Sequence, residues 1–385
     1  MIKIRQDFDG GNIEVVEIDG DRVTLRQELR DNSSWWFYWA FAAEGLPKEP
    51  VTFRFDNGET VSPFGPAVSL DGVRWRWLGA ESAPDRKTFT YANTRGHGRV
   101  YFSFCLNYRP VNFGFFLQKY GLQGSLFRLA VSEKGADIPL LEIGNPDAER
   151  HILLAARHHA CESPGSSVLE GFLEYVLAGT GALSRGYRFH AIPFADYDGV
   201  IAGDQGKLRA PHDHYCDYGN GSIYASVRAV KALAEKYKGA IVAALDFHAP
   251  NRWGGENDEP FLVKAENDAD GAALFSRILC EECSAGYEVG AIPFSGRRDV
   301  EYMTEWNTWG DSSFSGYMHE VAGAPLSVTL ETPYFGAPDT FTMTEDGLRG
   351  LGRRCAAAVE RYLIQRAFFF EQVGQRVSIK RKPPD

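Results

Sequence analysis

The sequence predicts an antiparallel β-sandwich over residues 1–112, followed by an α/β domain over residues 113–385. Three observations lead there. Seven short segments rich in β-branched and aromatic residues fall between Asn12 and Tyr108, separated by turn signals such as Asp9-Gly10-Gly11, Asp56-Asn57-Gly58 and Asp71-Gly72. Beyond Val111 the pattern changes to apolar runs of strand length alternating with longer helical periods. Four of those apolar runs end in His, Asp or Glu, where open α/β sheets carry their chemistry.

In the first unit the predicted strands cover residues 12–18, 22–29, 35–42, 51–55, 73–79, 87–92 and 99–108. The run Trp35-Trp36-Phe37-Tyr38-Trp39 reads as strand packing inside the sandwich. In the second unit, residues 151–159, 187–194, 239–250 and 325–335 are apolar on both faces, as strands covered on both sides require. Helical patterns occupy residues 166–179, 222–239 and 348–374. Cys280-Glu281-Glu282-Cys283 resembles half of a zinc knuckle, but no second pair follows, so a helix carrying two thiols is expected.

With 41 Lys+Arg against 51 Asp+Glu, the net charge of −10 supplies no basic footprint for nucleic acid or an anionic membrane surface. No run reaches the roughly 20 apolar residues of a membrane span. Six cysteines in 385 residues do not make a disulfide scaffold, and the first residues carry no secretory pattern, so a reduced, cytoplasmic protein is expected.

The run ending at His159 continues through Ala160-Cys161-Glu162, putting His159 and Glu162 three apart, with His158 a competing donor. The next delivers Asp196-Tyr197-Asp198-Gly199, which taken alone is most simply a turn. The third delivers Asp246 and His248, and the last Glu331. Two imidazoles and a carboxylate hold Zn²⁺ while leaving a position for water, and a further carboxylate takes that water's proton. A lone His-x-x-Glu pair or strand-end histidine means little; four such ends in one α/β domain mean more.

In this order the motifs resemble the zinc carboxypeptidases of the funnelin type, in the cytosolic carboxypeptidase (deglutamylase-like) branch. The resemblance rests on residues 8–16, 31–41 and 69–77 in the sandwich, then on His159-x-x-Glu162 with Ser163-Pro164-Gly165. It continues in Asp196-Tyr197-Asp198-Gly199-Val200, Asp246-Phe247-His248 and Thr329-Leu330-Glu331. It implies a mixed-sheet catalytic domain and one Zn²⁺ held by His159, Glu162 and His248. It also implies Glu331 as the general base, Asp213 as the carboxylate that orients His159, and a sandwich that docks beside the active-site funnel. The implied substrate is a peptide or small amide.

The chain departs from this pattern where the family grips the substrate's terminal carboxylate. The Asn-Arg pair is replaced by Tyr215-Cys216, and the arginine ten positions earlier by Gly206, with Lys207 beside it. Neither Tyr nor Cys replaces a guanidinium fork. Displaced cations are therefore expected among Lys207, Arg209, Arg252, Arg297 and Arg298, with Tyr215 and Tyr317 as further substrate contacts and Trp306 and Trp309 at the pocket mouth. The alternatives are an amidase or esterase that needs no terminal carboxylate, or a catalytically silent zinc-containing binding protein.

Overall fold

The computed structural model describes residues 1–31, 37–179, 181–265, 269–285, 290–308, 312–337 and 340–377. Trp35, Trp36, Trp309 and the tail from residue 378 lie outside the described residues.

Two sheets form the N-terminal sandwich. One runs β1 (Lys3–Arg5), β4 (Ala40–Glu44), β9 (Arg99–Ser103), β6 (Ala67–Ser69) and β7 (Arg76–Trp77). The other runs β2 (Glu14–Asp19), β3 (Arg22–Arg26), β5 (Pro50–Phe55) and β8 (Thr88–Ala92). Alternation brings Val23, Leu25, Val51, Phe53 and Phe55 inward, against Trp39, Phe41, Phe89 and Phe102. Phe53 and Phe89 stack at 4.8 Å, and the buried Trp39 indole donates to Thr60 O at 2.9 Å.

Pairing is antiparallel except between β3 and β5, which run parallel from Arg22↔Thr52 to Leu25↔Phe55. The predicted strand at 73–79 shrinks to the two residues of β7. This stretch also reaches the second unit: Trp75 N, just before β7, donates to Glu345 Oε1 at 2.8 Å, and the indole of Trp77 within β7 donates to Met343 O at 2.7 Å.

Helix α1 (Pro110–Tyr120) follows the sandwich, so the boundary expected at residue 112 falls inside a helix. The second unit is built on a seven-stranded mixed sheet. Its order is β10 (Leu126–Val131), β11 (Asp137–Gly144), β13 (Arg188–Ile192), β12 (His151–Ala156), β14 (Ile241–His248), β16 (Ser327–Glu331) and β15 (Phe261–Lys264). β13, β12, β14 and β16 are mutually parallel, and antiparallel strands complete both edges.

Both faces of the centre are covered. Ile152, Leu154 and Ala156 of β12 pack toward α2 (Ser163–Leu177), α6 (Ala269–Ser284) and α8 (Glu345–Val377); Leu153 and Ala155 pack toward α5 (Ala225–Lys236) and α7 (Phe314–Glu320). Helices α2 and α8 cross in close contact because Gly171 and Gly352 carry no side chain. A Cβ at either position would overlap a backbone carbonyl, that of Arg349 or Val168. Cys280 and Cys283 sit on α6, as expected of a helix carrying two thiols.

The sandwich is tied to the segment that borders the site. Gly10 N donates to Ile201 O at 2.9 Å, Asn12 Nδ2 to Gly203 O at 2.8 Å, and Phe37 N to Gln205 Oε1 at 2.8 Å.

Candidate metal centre

The parallel strands converge at their carboxyl ends. β12 ends at Ala156, and Arg157 then turns the chain with φ 65°. The buried Arg157 guanidinium fixes that turn, donating to Ala160 O at 2.8 Å and Tyr108 O at 2.7 Å. His158 and His159 follow, and Glu162 precedes the first residue of α2. One strand over, β14 ends at His248, which is in register with Glu331 at the end of β16. Asp213 opens a short 3-10 turn and accepts from Leu208 N and Cys216 N.

His159, Glu162 and His248 meet, each offering a donor atom within 4.8 Å of the others. His159 Nδ1 is 2.8 Å from Glu162 Oε1, and His248 Nδ1 is 2.8 Å from Glu162 Oε2. Both imidazoles thus present Nδ1 to the same carboxylate. Their other nitrogens are held by acids: His159 Nε2 lies 3.4 Å from Asp213 Oδ2, and His248 Nε2 lies 2.7 Å from Asp246 Oδ2. Carboxylates behind imidazoles are the arrangement that fixes the tautomer of a metal-binding histidine.

The donor set fits a divalent ion. Glu162 is fully buried between the Nδ1 atoms of His159 and His248, and the Oε2 of the buried Glu331 beside them has no hydrogen-bond partner. An orphaned acceptor of that kind is costly unless a cation satisfies it. A second set, His158, Asp246 and His248, also comes within 4.8 Å. Its nitrogens are already engaged, since His158 Nδ1 bonds Asp246 at 2.9 Å and His158 Nε2 bonds the Tyr218 hydroxyl at 2.8 Å.

The electrostatics are those of a tight charge cluster. Burial disfavours a charged His159, but Glu162 and Asp213 outweigh it and push the imidazole up to about 9. Burial likewise opposes ionisation of Glu162, while Lys207, His159 and His248 hold it well below the usual carboxylate range. Burial, reinforced by the neighbouring Glu162, pushes Glu331 up to about 7. A carboxyl so placed exchanges a proton near neutrality.

A cavity of about 780 Å³ opens over the centre, lined by His159, His248, Glu331, Lys207, Asp213 and Tyr215, and also by Arg298 and Trp306. Lys207 points its ammonium at Glu162 Oε1, 2.7 Å away, and donates to Ala249 O and Pro250 O at 2.8 Å each. Gly206, with φ +80°, packs so closely that a Cβ would overlap Ala160 N, so the position aligned with the family's arginine has no room for a side chain.

Arg209, Arg252, Arg297 and Tyr317 do not line this cavity. Arg209 is locked among Asp31, Asp196 and Asp204 at 2.9–3.2 Å. Arg252 donates to Glu59 O and lies over the Trp253 ring. Tyr317 packs against Tyr218, 5.9 Å between ring centres, with Lys231 over its face. The Asp196–Gly199 stretch is a turn into α4 (Tyr197–Ala202), with Asp196 accepting from Gly199 N at 3.0 Å. Sequence reasoning missed Arg157, Tyr218 and the bond between His158 and Asp246; no spacing rule links residues 60 or 88 positions apart.

Residues 4–105 match the cytosolic carboxypeptidase N-terminal domain family. Cytosolic carboxypeptidase 2 of Homo sapiens is 31% identical over 212 residues, which is 50% of this chain and 23% of that protein. An uncharacterised protein of Zymomonas mobilis is 28% identical over 215 residues, covering 52% of this chain and 55% of its own. These matches thus span about half, or less, of the relatives' length.

Among solved structures, a metallo-carboxypeptidase from Burkholderia cenocepacia superposes with a TM-score of 0.75 at 20% identity, covering 95% of this chain and 100% of that one. One from Pseudomonas aeruginosa, in complex with (2-guanidinoethylmercapto)succinic acid, gives 0.72 at 19% identity over 94% and 99%. The fold is that of the metallo-carboxypeptidases. The N-terminal sandwich bears out the resemblance to their cytosolic carboxypeptidase branch.

Proposed function

We propose that this chain is a cytoplasmic zinc metallohydrolase that cleaves a peptide or amide bond, carboxypeptidase-like but with a non-standard grip on its substrate. The reading is carried by one observation: the buried Glu331 carboxylate, in register with His248, keeps an unpartnered oxygen beside the His159–Glu162–His248 set. His159, Glu162 and His248 would hold the ion. A bound divalent ion supplies Lewis acidity there, making water nucleophilic near neutral pH and polarising a carbonyl oxygen.

Glu331 takes a proton from the attacking water as the carbon–oxygen bond forms, then passes it to the amine nitrogen as the carbon–nitrogen bond breaks. Asp213 and Asp246 keep the two imidazoles in the tautomer that leaves Nδ1 free of a proton.

Replacing Glu331 with Gln tests the reading. Hydrolysis of a peptide library is expected to fall by about 10²–10⁴ while one zinc per chain is retained. Near-wild-type turnover in E331Q would overturn it. Tyr215 and Cys216 at the carboxylate-gripping positions favour one second reading, an amidase acting on substrates without a free carboxylate. Comparing free-acid with C-terminally amidated peptides separates the two.

A further inference from the structure

We propose that His158 is a positioning residue of the metal centre, acting through Asp246 to fix the ligand face of His248. The proposal rests on the reading of His159, Glu162 and His248 as the metal-holding set.

Four buried groups form one chain. The Tyr218 hydroxyl is 2.8 Å from His158 Nε2, His158 Nδ1 straddles the Asp246 carboxylate at 2.9 Å from Oδ1 and 2.8 Å from Oδ2, and Asp246 Oδ2 is 2.7 Å from His248 Nε2. None of the four residues is more than 1% exposed. The proton positions follow from what each group is able to do. An ionised aspartate only accepts, so both ring nitrogens facing Asp246 carry hydrogen. With its proton on Nδ1 directed at Asp246, His158 turns Nε2 to the Tyr218 hydroxyl. His248 with its proton on Nε2 has a bare Nδ1, and that is the nitrogen directed at Glu162. The chain therefore selects the one His248 tautomer able to ligate a metal from this side.

Packing holds the relay in place. The His158 and His248 rings lie parallel within 5° with centres 5.8 Å apart, and Phe314 closes the other flank of His158 at 5.3 Å. Because both His158 nitrogens are engaged, His158 supports the site and does not compete for the ion. Without its donor, Asp246 would have a buried lone pair unanswered and would be free to turn away from His248.

The experiment compares His158→Asn with His158→Leu. The two side chains are nearly isosteric, but only Asn keeps a donor where Nδ1 stood. Zinc dissociation constants are measured by chelator competition on the full chain, with metal-free melting as a folding control and the visible spectrum of the cobalt-loaded proteins as a report on ligand geometry.

H158L is expected to bind zinc at least tenfold more weakly than wild type, within the usual range of about 10–100-fold for lost outer contacts, and to shift the cobalt bands. H158N is expected to stay within about threefold. Where H158L does not fold, His158→Ala serves in its place. Wild type that binds zinc, with the apolar and Asn variants binding alike, overturns the proposal. Wild type that binds no zinc overturns the metal-centre reading beneath it.

Discussion

The Lys207 ammonium stands 2.7 Å from Glu162 Oε1, in the same shell as the His159 imidazole that shares that oxygen. The preceding Gly206 has no room for a side chain of its own. Lys207 also holds the carbonyls of Ala249 and Pro250, the two residues directly after His248. One side chain therefore braces the carboxylate of one strand end and the backbone of another.

Lys207→Met is expected to destabilise the metal-free protein by about 3–5 kcal/mol, the usual cost of leaving a buried charge without its partner. Zinc-loaded protein is expected to lose less, because the ion supplies positive charge to the same carboxylate. Thermal melts with and without zinc check this. Equal losses in both states would mean that Lys207 matters only to the backbone it holds.

At the proposed site, zinc binding and pH would be linked through the two imidazoles. In the metal-free protein His159 is raised from 6.5 to about 9, and His248 is held well above its usual range: burial opposes the charge, but Asp246 and Glu162 outweigh it. Each must release a proton to ligate. Apparent zinc affinity is thus expected to climb with pH by about tenfold per unit for each proton released, with the His159 share of that slope ending at about 9. Metal-free stability runs the other way. The contribution of His159, raised in the folded state, is complete below 6.5 and disappears as pH rises through about 9. Calorimetric proton release and melts of the metal-free protein check both slopes.

Arg209 answers three acids away from the cavity. Burial and the nearby Asp31 push Asp204 up to about 6 even with the guanidinium in place, which shows how much repulsion Arg209 is offsetting. Arg209→Met is expected to cost about 3–5 kcal/mol in stability and to leave KM unchanged. Denaturant melts and steady-state kinetics check this; a raised KM with intact stability would return Arg209 to the substrate-binding set.

Much of this was legible because strand ends are local. The runs ending in His159, His248 and Glu331 are apolar on both faces, which marks them as central parallel strands, and their polar last residues stand out. Other features depend on tertiary context. β10 is an edge strand with no fully buried residue, so it has no periodic signal, and the parallel pairing of β3 with β5 depends on a connection that no short pattern encodes. The strand expected at 73–79 is shortened to β7 because the Trp75 N–H finds its partner in Glu345, some 270 residues away. Lys207 was identified as a cation near the site, but its commitment to Glu162 depends on the turn at Gly206.

The last relationship concerns the substrate's own charge. Tyr215 turns its hydroxyl toward Thr329 Oγ1 at 3.5 Å, and burial keeps the Cys216 thiol neutral, so neither side chain offers positive charge to a carboxylate. Lys207 is engaged with Glu162 and two carbonyls, and Arg298 is the guanidinium among the described residues that line the cavity. Should the substrate present a free carboxylate, Arg298→Ala is expected to raise KM by about 10–100-fold with kcat little changed, as loss of a charge-assisted contact made equally in ground and transition states requires. An amidated peptide would not feel the change. If wild type cleaves the free acid and the amide at equal rates, Arg298 has no carboxylate to hold, and the amidase reading takes its place.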